Sequence, residues 1–369
     1  MPRNRFFHCL TLAAAFFLLW ETQASAYETR VVTDHANTPL FQLRFFDQGE
    51  EYGNALSETE GEVSTWQLSA AQKDAVTQAV ELWADILGPG ANNAVPAAIN
   101  VGTMNEVNAD AISVANPTWH GTPWEGSSGL AGALIGDQSM NPPAQIRIGK
   151  MNFSIPDIPS PLPTGNGIDL VGTLYHEMGH ALGISSLALV GEDDGGNPVY
   201  GFDTEISPWD RHLVDRYGVT PTTDMEVVRS EPETAPGADP VFTVGEMTES
   251  GVLFKGTHVS EVLAGALNGG LPIEGFEGDS LDLSHIELDR SLMSHQDYRN
   301  YQVFMEAELA ALQDIGYTID RKNFYGFSVY GDNLTLSNGQ GYFARNADGT
   351  AYLPGQPNTA AYGLCLHIY

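Results

Sequence analysis

The stretch from Ile168 to Leu182 reads as one helix, with Asp169 near its start and Gly183 just past its end. It carries His176-Glu177-Met178-Gly179-His180. Residues four apart on a helix stand one above the other, with Cβ atoms about 6 Å apart, so both imidazoles share one face. Gly183 lets the backbone leave the helix in a sharp turn with positive φ. The paired rings either face a metal or merely pack, and the chain turns away directly below them. Ahead of the helix, Ser154 to Gly167 holds four prolines and two glycines and reads as an extended linker.

The H-E-x-x-H spacing is a metal-binding pattern. Both imidazoles reach one Zn²⁺ at about 2.1 Å, and Glu177 is angled to take a proton from a metal-bound water. A catalytic zinc needs a third protein ligand and one open position. Past the motif, candidates with nitrogen donors are His212, His258, His285 and His295.

The motif continues to Gly183, and H-E-x-x-H-x-x-G resembles the opening of the metzincin signature. That clan's usual third ligand would fall on Ser186, a poor zinc ligand. Further on, Ser284-His285 precedes Ser291-Leu292-Met293-Ser294, which resembles a metzincin Met-turn. A histidine eight residues before that methionine, after a long insertion, is similar to the leishmanolysin branch, although an insertion of about 100 residues is longer than that branch leads one to expect. The resemblance spans Ala70 to Asp320 and is specific at the two motifs. It implies an α+β, zincin-like two-lobed domain with its helix at the lobe boundary. It implies His176, His180 and His285 as zinc ligands, Glu177 as general base, and Met293 as the floor of the site. It also implies that a protein or peptide substrate lies along an edge strand near Gln145–Ile148. His295, two residues past the methionine, is either a donor to the developing oxyanion or a solvent-facing side chain. His212 and His258 remain fallback third ligands, and Glu205 is the counterpart in a thermolysin-like arrangement, against which Gly183 speaks.

Sixteen Lys and Arg stand against 47 Asp and Glu, a formal charge of −31 that repels phosphate and excludes a nucleic-acid partner. Arg3 and Arg5, the apolar run Phe6 to Trp20 and Ala24-Ser25-Ala26 read as a secretory signal. Fifteen apolar residues are too few to span a bilayer, so the mature chain is expected to be secreted, extracellular or on the cell surface. Cys9 leaves with the signal, and Cys365 alone cannot close an internal disulfide. Glu192-Asp193-Asp194-Gly195-Gly196-Asn197 is either a weak Ca²⁺ loop or a solvated acidic one. Nothing here fixes an oligomeric state.

The expected organisation is a signal over 1–26, an N-terminal lobe with the helix over 27–183, a C-terminal lobe over 184–320, and a β-rich extension over 321–369. Further helices are expected at Ser69–Leu87, Pro208–Tyr217, His258–Leu267 and Tyr301–Ile315. Strands are expected at Ala97–Val101, Ala111–Ala115 and Gln145–Ile148, with a loop over Asn116–Gly132 and a loop-rich stretch over Ile184–Leu283. The strand pattern after 325 resembles the junction between a protease and an autotransporter passenger. The competing functional class is thus a surface adhesin with a structural or inactive zinc site, against which an intact Glu177 argues.

Overall fold

The computed structural model describes residues 27–34, 36–54, 57–91, 94–106, 109–113, 115–119, 122–134, 144–150, 153–154, 168–192, 195–202, 206–229, 240–263, 269–288, 291–294, 304–319 and 326–327. The signal over 1–26, nearly all of the 321–369 extension, most of the proline linker, Asp193, Asp194, Glu205 and His295 lie outside them. The described chain is a mixed α+β protein.

Strands β1 (Tyr27–Thr33) and β2 (Pro39–Phe46) form an antiparallel pair, and a hairpin of β3 (Glu51–Asn54) and β4 (Ser57–Val63) follows. Helix α1 (Ala70–Leu87) leads to β5 (Ala97–Thr103), which lies parallel to β2. Parallel neighbours need a crossover, and α1 supplies it. Its start is a capping box. The Ser69 hydroxyl accepts from Gln72 N–H and the Gln72 side chain accepts from Ser69 N–H. Along the buried stripe, Val76, Ala79, Val80, Trp83 and Leu87 face the sheet core, while Leu82 is only half-buried.

Strand β6 (Ala109–Ser113) is followed by a hairpin of β7 (Ala115–Trp119) and β8 (Thr122–Ser128), then by the short helix α2 (Gly129–Leu134). The expected loop over Asn116–Gly132 is thus a hairpin and a helical turn. Strand β9 (Ala144–Ile148) completes a sheet ordered β1-β2-β5-β9-β6. Here the structure corrects the substrate-strand expectation. Gln145–Ile148 is a strand but an internal one, paired parallel with β5 and antiparallel with β6. Four of its five residues are buried, as a strand flanked on both sides requires. Among the described residues the sheet ends at β6, which runs alongside the helix of the histidine motif.

β10 (Phe153–Ser154) pairs with β11 (Ile168–Asp169), and α3 (Leu170–Ala181) starts immediately after, two residues later than expected. Trp83 donates its indole N–H to the Tyr175 carbonyl at 2.9 Å and meets the Tyr175 ring edge-on, which locks α1 against α3.

Beyond α3 the expected loop-rich stretch is built from strands of two to five residues, too short to show a period. β12 (Ala188–Glu192), β13 (Pro198–Phe202), β15 (Glu226–Val228) and β16 (Phe242–Thr243) make one sheet. β14 (Leu213–Val214), β17 (Leu253–Phe254) and β18 (Leu271–Pro272) make another, with α4 (Thr257–Val262) between the last two in sequence. Residues 208–217 hold a single 3-10 turn and β14 in place of the expected helix. A tight hairpin of β19 (Phe276–Glu277) and β20 (Ser280–Leu281) precedes the segment 282–294, and α5 (Glu306–Asp314) is the last helix among the described residues, shorter than expected at its start. Among the described residues no helix is long and apolar enough to cross a membrane.

Candidate metal centre

Helix α3 presents His176 and His180 on one face, and the loop after β20 brings His285 over them. The Nε2 atom of His176 lies 3.0 Å from that of His180 and 3.2 Å from that of His285. Ligand nitrogens of the three lie within 4.8 Å of one another.

The tautomers follow from what each Nδ1 faces. His176 Nδ1 is 2.8 Å from the Leu292 carbonyl oxygen, and His180 Nδ1 is 2.7 Å from that of Ile184. His285 Nδ1 is 2.7 Å from an oxygen of Asp282. Carbonyl and carboxylate oxygens only accept, so each Nδ1 carries the hydrogen and donates it. Three bare Nε2 lone pairs are then left pointing at one another. Such a cluster is repulsive without a positive charge at its centre. Three nitrogens at about 2.05 Å from a tetrahedral zinc stand roughly 3.3 Å apart, close to the separations found. The donor set therefore fits a metal ion and is of the type zinc takes.

The rest of the centre is scaffolding. Gly183 has φ of 109°, which lets the chain fold back so that the Ile184 carbonyl reaches His180. Tyr317 donates its hydroxyl to the Leu182 carbonyl at 2.7 Å. Buried Asp210 gathers the exit of α3, accepting from Leu187 N–H and from Ser207 N–H and hydroxyl, while Ser207 also bonds the Ser185 carbonyl. Ser186, the position where a third ligand is expected in the commoner metzincin pattern, instead donates its N–H to the Ser284 hydroxyl at 3.0 Å. That bond berths the distant loop one residue ahead of His285. Trp209 adds a second tie, its indole N–H bonding the Leu283 carbonyl at 2.7 Å.

Met293 is fully buried in the turn Ser291–Ser294, and its thioether presses on Gly179 between the two motif histidines. Glu308 of α5 holds this turn from behind, accepting from Met293 N–H at 2.8 Å and from the Ser291 hydroxyl. Ile286 N–H closes the loop onto the Met293 carbonyl at 2.8 Å. A Cβ on Gly179 would collide with the Met293 sulfur and stand 2.9 Å from its methyl carbon. Gly179→Ala is expected to cost about 1–3 kcal/mol by overpacking, outweighing a helix-propensity gain of about 1 kcal/mol. In a Met293→Ala background the same change should become neutral or stabilising. Urea unfolding of the four metal-free variants checks this, and an equal cost in both backgrounds would exclude the contact as its cause.

Glu177 is 14% exposed, its Oε1 4.0 Å from His176 Nε2. It lines a cleft of about 380 Å³ together with His180, Ser186, Ala188, Leu283 and His285. On the far side of His285, Glu274 is 2% exposed, and its Oε2 lies 3.7 Å from Nδ1. Burial first, then the charge of Asp282, push the Glu274 carboxyl up to about 7. Burial also pushes Asp282 up, but the hydrogen bond and charge of His285 outweigh it and hold that carboxyl below the usual range. Glu274, Asp282 and His285 form a second group with metal-ligand spacing.

The fallback ligands lie elsewhere. Both ring nitrogens of His212 face carbonyl oxygens, of Lys255 at 3.0 Å and Asp314 at 3.1 Å. His258, at the start of α4, belongs to no group of metal-ligand spacing among the described residues. Sequence reasoning missed Asp282, Glu274, Asp210 and Glu308. Of these only Glu308 left a trace, as an acid amid the apolar residues of α5.

No protein-family model, no curated protein and no solved structure matches this chain. Fold and site together define a class only: an α+β protein with a cluster of imidazoles and carboxylates able to hold a metal ion.

Proposed function

We propose that this chain is an exported zinc endopeptidase of the metzincin type, nearest in pattern to leishmanolysin. One observation carries the proposal: three imidazoles, each with its Nδ1–H spent on an acceptor, aim bare Nε2 atoms at one point beside Glu177. Zinc held there would lower the pKa of a water to about 7 and polarise a peptide carbonyl. Glu177, at the mouth of the cleft, takes the water's proton and delivers it to the leaving amine. Met293 and the Leu292 carbonyl set the floor and the tilt of the His176 ring. The two lobes are the five-stranded sheet with α1 and the small-sheet region after Gly183. An extended substrate has the outer edge of β6 to pair with, since among the described residues that strand ends the sheet next to α3.

The test is casein cleavage by purified protein with and without a chelator, followed by zinc add-back. Loss with chelator and recovery with zinc are expected. A zinc-loaded protein that cleaves no peptide bond would favour the adhesin class, in which the metal only holds the fold. Zinc affinity is also expected to fall as pH drops through the imidazole range near 6.5, because protons compete for all three Nε2 atoms. Zinc titration between pH 5 and 8 measures the slope, and a flat profile would argue against histidine ligation.

A further inference from the structure

We infer, resting on the metal centre proposed above, that Asp282 is a positioning residue. It makes His285 a competent third ligand by holding the ring's tautomer and orientation and by raising its basicity. His285 differs from its two partners in how it is held. The rings of His176 and His180 are oriented by backbone carbonyls, which the helix and its exit fix in place. His285 sits on a loop and is oriented by a side-chain carboxylate three residues earlier.

That carboxylate is itself fixed at both ends. One oxygen accepts from Ser284 N–H at 2.9 Å and the other from His285 Nδ1 at 2.7 Å. The Asp282 N–H bonds the Gly275 carbonyl at 3.2 Å. Asp282-Leu283-Ser284-His285 is thus a self-contained unit. Its first residue orients the ligand ring, its second is gripped by Trp209, and its third docks on the exit of α3. Glu274, buried and with no hydrogen bond to its Oε2, places a second carboxyl group 3.7 Å from the same Nδ1. A carboxylate behind a metal-bound imidazole makes the ring a stronger donor, and loss of such a partner costs roughly 10- to 100-fold in metal affinity.

The experiment compares wild type with Asp282→Ala, Asp282→Asn and His285→Ala in the full chain. Zinc affinity is read by competition with a chromophoric chelator, the cobalt-substituted protein by its visible spectrum, and the metal-free fold by thermal melting. Asp282→Ala is expected to bind zinc roughly 10- to 100-fold more weakly and to shift the cobalt bands. Asp282→Asn keeps an oxygen for Nδ1–H but not the charge, so it should fall between Asp282→Ala and wild type even if the alanine variant folds poorly. Wild-type zinc affinity and cobalt bands in both Asp282 variants, with metal lost in His285→Ala, would overturn the inference and leave the metal centre standing. Two zinc equivalents in wild type, one of them lost in both Asp282 variants, would make Asp282 a ligand of a second ion and overturn it too. A wild-type protein that binds no zinc would overturn both.

Discussion

His285→Ala is expected to lose its zinc at micromolar free metal, while His212→Ala keeps a full equivalent. Zinc bound by four protein ligands is held by about 10–16 kcal/mol, so one ligand is worth roughly 3 kcal/mol, a loss of about 100-fold. The structure gives the contrast its sign. His285 Nε2 stands 3.2 Å from His176 Nε2 with its Nδ1 occupied by Asp282, whereas His212 has both nitrogens on carbonyls of Lys255 and Asp314. The His212 ring sits between carbonyls 43 and 102 residues away and can donate its N–H to one of them, so its removal should lower the melting temperature instead. Equilibrium dialysis against buffered zinc, with a melt of each metal-free variant, separates the two effects. Full retention in His285→Ala with loss in His212→Ala would reverse the assignment.

Glu177→Gln is expected to keep zinc and lose hydrolysis. Glutamine fills the same volume and cannot take a proton, so only the proton-transfer role is removed. That role contributes typically 100- to 10,000-fold, or about 3–5 kcal/mol of barrier. Glu177 is not a member of the group of metal-ligand spacing that His176, His180 and His285 form, so affinity for zinc should change little. Peptide cleavage by a zinc-loaded variant, measured by release of new amino groups, decides it. Cleavage at the wild-type rate would remove Glu177 from the chemistry and with it the main reason to read the centre as catalytic.

The two motif histidines and the helix that carries them were legible because helix geometry is local. A spacing of four on a helix dictates a shared face whatever surrounds it. Gly183 was legible for the same reason, as a positive-φ position read from residue type and place. Strand β9 was legible as a strand but not as an internal one, since alternation marks extended backbone and says nothing about which neighbours pair with it. The hairpin at 115–128 and the short strands between 188 and 281 were not legible, because elements of two to seven residues carry too few side chains to show a period against glycine-rich surroundings.

By itself, then, the order of residues determined a metal-ready helix face, a break beneath it and a strongly acidic chain. The resemblance named His285 as the distant imidazole, and tertiary structure alone supplies the contacts that bring it over that face, which sequence spacing cannot encode. Ser186 N–H meets Ser284, Trp209 grips the Leu283 carbonyl, and Glu308 props the Met293 turn. Each joins residues 15 to 98 positions apart, and all three have a backbone group at one end, which every residue possesses and none advertises.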